Sequence, residues 1–467
     1  MNALLLARWQ FGITTVYHFL FVPLTIGLAF LVAGLQTAWL RTGKDHYLRS
    51  TKFWGKLFLI NFALGVATGI VQEFQFGMAW SAYSRFVGDV FGAPLAIEGL
   101  LAFFMESTFL GLWIFGWDRL PRAVHTACIW LAAIGTMLSA YFILAANAWM
   151  QHPVGFVLDP ATHTARLTSI WAVLSNSTAL VAFAHTIAAA FLIAGMLMVS
   201  ISSWHLRRGQ HADVMRPSLR LGLWSSLVAC AMTAVSGDID GKIMTEQQPM
   251  KMAAAEALYH SAQPASFSVF TIGSLNGRSE VWSIRLPGLL SFLATGSFNG
   301  QVQGIDNVQA AEVAKYGPGV YTPVIPVTYW SFRLMIGFGL VAGLLALVGL
   351  FLTRGGRTPA PERRWFYRFA VWGVLFAPLA ASFGWIFTEM GRQPWAVFGV
   401  LTTRESVSPT VGAATIWTSL ITFTVLYAVL AVIEVGLVMR TARSGPEPAA
   451  AEPPETGAPE PQLGFAH

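Results

Sequence analysis

The sequence predicts an all-α integral membrane protein with nine transmembrane helices in one bundle. Two features of its composition support this: 55% of the 467 residues are hydrophobic and only 11% are charged, whereas soluble domains carry about 25% charged residues. The third feature is the recurrence of long apolar runs along the chain. Each run has roughly 20 residues or more, enough to cross a bilayer as a helix. A soluble enzyme is therefore excluded.

The apolar runs fall, in chain order, at about 12–39, 54–80, 94–117, 124–149, 177–203, 219–236, 327–352, 367–389 and 411–439. The first run is expected to be a retained membrane helix and not a cleaved signal peptide, since only one basic residue precedes it and no small-residue cleavage site follows it. The chain thus divides into helices 1–6, a long external loop rich in Gly, Ser, Gln and Pro, helices 7–9 and a disordered cytoplasmic tail. The predicted boundaries of these parts are 1–236, 237–326, 327–440 and 441–467.

Basic residues cluster in alternate loops, and this clustering sets the predicted orientation. One set of loops holds Arg41, Lys44, Arg49, Lys52, Arg119, Arg122, Arg207, Arg208, Arg216, Arg220, Arg354, Arg357, Arg363 and Arg364. The short loops on the other side hold little beyond Arg85, Arg166, Arg392 and Arg404. We therefore expect the N-terminus outside and the C-terminus in the cytoplasm. The net charge of +6 mostly reflects these loops, so no nucleic-acid partner is expected.

The positions of the two cysteines and the lack of an internal repeat argue against three alternatives: a disulfide framework, a thiolate metal site and an inverted-repeat transporter. Cys128 and Cys230 both lie in apolar runs, which supports neither a disulfide framework nor a thiolate metal site. We find no internal sequence repeat, so a transporter built from inverted repeats gains no support.

Five possible ligands come from five different predicted helices. His18, Glu98, His185 and Met335 fall in the outer third of helices 1, 3, 5 and 7, and Glu389 ends helix 8 at the same face. A single intramembrane histidine can instead make an interhelical hydrogen bond, and a lone methionine is commonly core filler. Their shared depth nevertheless favours a cofactor layer across the bundle.

The residue types favour haem in this layer. Histidine with methionine is an axial pair for haem iron, and a single histidine leaves an open position for a gas. Imidazole, thioether and carboxylate together do not suit zinc, and too few oxygens are present for calcium. Arg8 and Arg392 flank the layer, where they could pair with haem propionates or anchor to lipid headgroups. Trp385, one helical turn before Glu389, is expected to face the same layer.

Two further features concern charge inside the membrane. Glu389 closes an apolar run and is followed by Gly391, Arg392 and Pro394, so the helix must stop there and place a guanidinium beside the carboxylate. Glu106 lies deeper in helix 3, and with Ser139 and Asn147 of helix 4 it could form a proton relay from the cytoplasm. The alternative for Glu106 is a neutral acid that hydrogen-bonds to a neighbouring helix.

The same residues carry a family resemblance. The segments that carry it are Gly391-Arg392-Gln393-Pro394-Trp395 after Glu389, His18, Ile-Glu-Gly-Leu-Leu-Ala-Phe-Phe-Met-Glu-Ser at 97–107, His185, and Ser331-Phe-Arg-Leu-Met335. The chain resembles subunit I of the cytochrome bd-type quinol oxidases over about residues 1–440. The Gly-Arg-Gln-Pro-Trp signature is highly specific.

The resemblance implies a role for each position. His185 and Met335 would be axial ligands of a low-spin haem b, with Arg333 supporting that pocket. His18 would bind the iron of haem d, with Glu98 beside it. Glu389 would bind a second, high-spin haem b, and Arg392 a propionate. Trp385 would lie between the two high-spin haems.

The resemblance also implies an activity and partners. The external loop resembles the family's quinol loop, in which Lys251 and Glu256 would bind membrane quinol; a solvated charge pair is the alternative. Oxygen would be reduced to water with protons drawn from the cytoplasm through Glu106, without a pump. The family works with a second large subunit, subunit II, and often a small single-helix subunit, in the lipid bilayer of the plasma membrane.

Two other functions compete with this interpretation. A haem-free secondary transporter would use the acidic residues and histidines for ion coupling, and it would be colourless when purified. A one-haem gas sensor or structural haem subunit would explain the ligand layer but not the long loop or Glu106. A reduced-minus-oxidised optical spectrum separates all three.

Overall fold

Nine long helices dominate the fold, which confirms the predicted all-α membrane class. The computed structural model describes residues 2–274, 277, 279–356 and 364–448. Within these residues, nine helices are long and apolar enough to cross a membrane. Helices 1–9 are Ala3–Thr42, Asp45–Met78, Ser81–Phe115, Arg122–Gln151, Ser177–Leu206, Ala212–Gln247, Ile325–Leu352, Arg364–Gly391 and Ala413–Ser444. The predicted orientation of the termini stays a prediction.

Helix 1 lies at the centre of the bundle. It packs against helices 2, 4, 5, 8 and 9, and most of its apolar span is buried. His18 lies near the middle of this helix and is partly buried among its neighbours.

Helix 3 begins well before the predicted start at residue 94. Tyr83, Val87 and Val90 are buried on one face of this early part, at the three- and four-residue spacing of an amphipathic helix. The polar residues between them hid this segment from a search for uniformly apolar runs. Glu98 consequently lies midway along Ser81–Phe115, and its position in the outer third of the membrane span stays a prediction.

Helix 6 runs to Gln247, so the predicted boundary at residue 236 falls inside it. The residues after Ser236 had been assigned to the loop because the segment 237–326 is rich in Gly, Ser, Gln and Pro. In the structure Lys242 Nζ lies 2.5 Å from Asp238 Oδ2, one helical turn away, and such pairs stabilise a helix surface. The segment between helices 6 and 7 therefore begins at Gln248.

The segment between helices 6 and 7 is folded. It contains the helices Pro249–Ala255, Leu289–Thr295 and Ile305–Tyr316 and an antiparallel hairpin of Phe267–Gly273 with Glu280–Leu286. The hairpin is tied to helix 7 where the Ser268 and Tyr329 hydroxyls lie 2.8 Å apart. Met250, Ala254, Ile305 and Tyr329 share one apolar cluster beneath it.

Two smaller folded connections lie elsewhere in the chain. Between helices 4 and 5 are a hairpin of Phe156–Leu158 with Ala165–Leu167 and the short helix Ile170–Leu174. After helix 8 are a hairpin of Trp395–Val397 with Leu401–Thr402 and the helical turn Thr403–Ser406. A short 3₁₀ turn, Arg354–Gly356, follows helix 7.

The predicted tail is only partly within the described residues. Residues 441–444 belong to helix 9, which ends at Ser444. Residues 449–467 of the predicted disordered tail lie outside the described residues.

Helices 5 and 6 cross closely at two glycines. A Cβ atom added to Gly195 would lie 2.8 Å from the carbonyl oxygen of Gly222, and one added to Gly222 would lie 2.7 Å from that of Gly195. Small residues let membrane helices approach at their backbones, where packing supplies the attraction. This crossing joins the helix that carries His185 to the helix that leads into the loop.

We expect Gly195→Ala to lower the unfolding free energy by about 1–3 kcal/mol, because the new methyl group meets rigid backbone. Gly34→Ala in helix 1 is the control, since an added Cβ there meets nothing within 4 Å. Thermal unfolding of the detergent-solubilised protein would measure both. Equal melting temperatures for the two variants would contradict the packing role of this crossing.

Candidate active site

A cavity of about 530 Å³, partly open at the surface of the bundle, lies between helices 1, 2, 3, 4 and 8, with Thr186 of helix 5 also in its lining. The predicted site residues that line it are Arg8, His18, Glu98, Glu106, Ser139, Trp385, Glu389 and Arg392. Its other lining residues are mostly apolar, among them Phe11, Phe19 and Leu144. A cavity with a few convergent polar groups in an apolar wall is the usual form of a cofactor site.

Glu98 sits where helix 3 changes its winding. Glu98–Phe103 forms a π-helical turn, and α-helix resumes at Phe104. The Ser139 hydroxyl of helix 4 donates to Glu98 Oε1 at 2.6 Å. Wide turns of this kind occur frequently at functional sites, and here the turn lets Glu98 and Glu106 both reach the cavity.

Glu106 is buried where helices 3 and 4 touch. Its side chain is 7% exposed, and a Cβ added to Gly135 would lie 3.0 Å from the Glu106 Cβ. Because Gly135 has no side chain, the Glu106 side chain fits between the two helices. Glu106, Ser139 and Asn147, the three residues of the predicted proton relay, all line the same cavity as Glu98.

Glu389 is held by two partners at the end of helix 8. Asn147 Nδ2 donates to Glu389 Oε1 at 2.9 Å, and Arg392 pairs with Oε2. Arg392 is itself buried and also donates to the backbone carbonyls of Trp395 and Ala396. The chain turns after Gly391 as expected, and Arg392 folds back onto the carboxylate three residues before it.

A chain of amide side chains leads from Glu389 to the segment between helices 6 and 7. Gln151 Nε2 donates to Asn147 Oδ1 at 2.9 Å, and Lys251 Nζ donates to Gln151 Oε1 at 3.0 Å. Gln248 Nε2 also donates to the Gln151 carbonyl oxygen at 2.7 Å. Gln151 was missed in the sequence, although its position one turn after Asn147 on a membrane helix was a usable signal.

Lys251 is a buried ammonium group. The residue is 4% exposed, and its Nζ lies 5.3 Å from the centre of the Phe387 ring. Burial lowers the pKa of Lys251 from 10.5 to about 8, while attraction to Asp240 and Glu389 acts in the opposite direction. Its charge is therefore lost only a little above neutral pH.

Glu256 has a different set of partners from Lys251. It is 1% exposed, pairs with Arg333 of helix 7 at 2.7 Å, and accepts the Ser268 backbone N–H at 2.9 Å. The alternative of a solvated Lys251–Glu256 pair is excluded, since both side chains are buried. Arg333, expected to support the low-spin haem pocket, pairs with Glu256 and lies over the Phe267 ring.

His185 and Met335 lie apart from the lining of the cavity. His185 Nδ1 lies 3.0 Å from the Ser236 hydroxyl of helix 6. A Cβ added to Gly384 of helix 8 would lie 3.0 Å from Met335 Sδ. Asp240 of helix 6 interacts electrostatically with both His185 and Lys251; it was missed because it had been assigned to the loop.

These donor groups fit haem better than a bare metal ion. Within the described residues, no group of three His, Cys, Asp or Glu side chains is arranged to hold an ion. A porphyrin brings its own equatorial nitrogens, so one or two protein ligands suffice. His18 Nδ1 lies 2.9 Å from the Thr68 hydroxyl, which leaves Nε2 for iron. The buried Trp385 Nε1–H has no hydrogen-bond partner among the described residues, as expected at a site where a bound cofactor would supply the acceptor.

Comparison with known proteins agrees with this geometry. The family described as cytochrome bd terminal oxidase subunit I matches residues 6–446. Cytochrome bd ubiquinol oxidase subunit 1 of Bacillus subtilis is 46% identical over 449 residues, covering 96% of this chain and 95% of that protein. Cytochrome bd-II ubiquinol oxidase subunit 1 of Escherichia coli is 37% identical over 508 residues, covering 96% and 98%.

A solved structure shares the fold over nearly the whole chain. The bd oxidase from Geobacillus thermodenitrificans superposes with a TM-score of 0.86 at 27% identity, covering 95% of this chain and 99% of that chain. The family match, the two relatives and the nine apolar helices all indicate the same kind of protein. The chain is a multi-pass protein of the bacterial plasma membrane and belongs to the cytochrome bd terminal oxidase subunit I family.

Proposed function

We propose that this chain is the haem-bearing subunit of a quinol:oxygen oxidoreductase, in which quinol is oxidised at the outer face and oxygen is reduced to water inside the bundle. The observation that carries the proposal is the cavity within the bundle that gathers His18, Glu98, Trp385 and Glu389. Membership of a terminal oxidase family leaves the haem-free transporter and the one-haem sensor without support.

The proposed haem ligands follow from the residue types and the family. His185 and Met335 would hold a low-spin haem b, His18 haem d, and Glu389 a high-spin haem b, with Trp385 between the last two. When bound, the haems supply electron transfer and an open iron position for oxygen.

The surrounding side chains orient the proposed ligands. Asn147 and Arg392 occupy different oxygens of Glu389, so its carboxylate plane is fixed before any ligand binds. Arg392 and Arg8 both line the cavity and would neutralise haem propionates. The Trp385 ring stacks on Phe19 with ring centres 5.0 Å apart, which places an aromatic wall beside His18.

Glu106, Glu98 and Ser139 would deliver protons to the cavity. Ser139 is hydrogen-bonded to Glu98, and Glu106 lies farther along helix 3, toward the end predicted to be cytoplasmic. A proton that moves inward along this path crosses part of the membrane potential, and a full crossing stores about 2.3 kcal/mol per 100 mV. Proton uptake from the cytoplasm and release from quinol outside therefore make the reaction electrogenic without a pump.

Quinol would bind where Lys251 and Glu256 hold the folded loop against the bundle. Both are buried charged groups on the short helix Pro249–Ala255 or just after it, and a quinol hydroxyl can exchange for one of their hydrogen bonds. The amide chain from Lys251 to Glu389 joins this place to the cavity. Subunit II is the expected partner, since the relatives are named as subunit 1, and a small single-helix subunit would complete the complex.

We expect His185→Ala to remove the low-spin haem b band alone, because the other proposed ligands lie on other helices. A reduced-minus-oxidised spectrum of the purified complex measures this. His260→Ala is the matched control, since His260 is 85% exposed in its side chain. Retention of all bands in His185→Ala would contradict the ligand assignment.

We expect Glu106→Gln to reduce oxygen consumption at least 100-fold, in the range of a lost general acid or base, while all haem bands persist. The substitution keeps the volume of the side chain and removes its proton. Glu405→Gln, at an exposed helix cap, serves as the control. Wild-type turnover in Glu106→Gln would exclude the proton path.

We expect the KM for quinol to rise several-fold from about pH 7 to about pH 9, with a midpoint near 8. The pKa of Lys251 is lowered to about 8 by burial, so its ammonium donor is present below that pH and lost above it. Lys251→Gln should show a high KM that does not change with pH. Lys315→Gln, at an exposed lysine, should keep the wild-type profile; a pH midpoint near 8 in Lys251→Gln would exclude this role.

A further inference from the structure

The two histidines proposed as haem ligands are held in the same way by neighbouring helices. His18 of helix 1 faces Thr68-Gly69 of helix 2, and His185 of helix 5 faces Ser236-Gly237 of helix 6. In each case a hydroxyl residue is followed directly by glycine. The ring nitrogen Nδ1 lies 2.9 Å from Thr68 Oγ1 in the first case and 3.0 Å from Ser236 Oγ in the second.

Each hydroxyl already uses its hydrogen within its own helix. Thr68 Oγ1 donates to the carbonyl oxygens of Leu64 and Gly65, both at 3.0 Å. Ser236 Oγ donates to the carbonyl oxygen of Met232 at 2.8 Å. A hydroxyl has one hydrogen and two lone pairs, so each presents a lone pair to its histidine.

The direction of these bonds determines the histidine tautomer. Where each hydroxyl hydrogen points to its own helix, the ring nitrogen that faces the lone pair is the donor, and in this arrangement Nδ1 is the protonated nitrogen of both rings. A neutral imidazole then has its free electron pair at Nε2, the form that binds iron.

The glycines set the position of the rings. A Cβ added to Gly69 would lie 3.2 Å from His18 Cε1, and one added to Gly237 would lie 3.4 Å from His185 Cε1. Each imidazole edge therefore rests on the bare backbone of the adjacent helix. Thr68 is also held from its other side, because the Tyr427 hydroxyl of helix 9 donates to its carbonyl oxygen at 3.2 Å.

We propose that Thr68-Gly69 and Ser236-Gly237 are matching positioning elements that hold His18 and His185 as the Nδ1–H tautomers and set the donor strength of Nε2 toward iron. The inference rests on the proposed function, since it assumes that both histidines bind haem. An acceptor on Nδ1–H makes the imidazole a stronger donor and favours ferric over ferrous iron. Each element acts on its own haem, because the two lie on different helix pairs.

The test compares two variants in the purified complex, by optical spectroscopy and redox titration of each haem. Thr68→Val should shift the band of the His18 haem and raise its midpoint potential, whereas Ser236→Ala should do the same for the His185 haem only. Loss of an outer-shell contact typically changes metal affinity by roughly 10- to 100-fold. A tenfold loss of the preference for ferric iron corresponds to a rise of about 59 mV in the one-electron midpoint potential. Thr68→Ser and Ser236→Thr keep the hydroxyl and should restore wild-type values.

Control variants separate this effect from general damage. Thr422→Val removes a hydroxyl that likewise bonds to its own helix, in helix 9, and should leave both potentials unchanged. Gly69→Ala should shift the His18 haem band, whereas Gly77→Ala on the same helix, where an added Cβ meets nothing within 4 Å, should not.

The possible outcomes distinguish this inference from the proposed function. If Thr68→Val and Ser236→Ala leave both spectra and potentials at wild-type values, the positioning role is overturned. Equal changes of both haems in each variant would overturn it as well. Retention of every haem band in His18→Ala and His185→Ala would instead overturn the proposed ligand assignment, on which this inference rests.

Discussion

A carboxylate inside a membrane bundle is stable only where its charge is matched, and much of this site depends on how Glu389 meets that condition. Arg392 and Asn147 bind its two oxygens, and isolated charges in such surroundings are very costly. Arg392 reaches Glu389 across one helical turn, and its guanidinium also donates to the backbone carbonyls of Trp395 and Ala396, where the chain returns after the helix ends at Gly391. The end of helix 8, the strand after it and the cavity wall are thus parts of one arrangement.

The same condition explains why the segment between helices 6 and 7 is folded. Glu256 is buried against Arg333, and Lys251 is buried against Gln151. Each pair joins the segment to a different membrane helix. Removing Arg333 would leave the buried Glu256 carboxylate without its counter-charge, and removing Gln151 would leave the buried Lys251 ammonium without its hydrogen-bond acceptor. Charged residues therefore attach the proposed quinol region to the bundle at two places.

The membrane helices and the Glu389–Arg392 contact could be predicted from sequence, because both depend on residues close together in the chain. Apolar length identified the helices, and the three-residue spacing with Gly391 between indicated the ion pair. The early turns of helix 3 and the last turns of helix 6 were missed, since amphipathic or charged turns do not look like a lipid-facing run. Gln151 and Asp240 acquire their partners only through tertiary packing. No local pattern shows that Lys251 lies beside Gln151, a hundred residues earlier.

The wide turn at Glu98–Phe103 determines where helix 3 can lose a residue. Such a turn accommodates one more residue than an α-helical turn, so the helical parts before and after it keep the register of a continuous α-helix. Losing one residue there would restore regular winding and leave Glu98 and Glu106 seven residues apart, a spacing that keeps both on one face. Losing one residue between Val90 and Glu98 would instead rotate the start of the helix by about 100°. The buried face of Tyr83, Val87 and Val90 would then turn away from its packing partners.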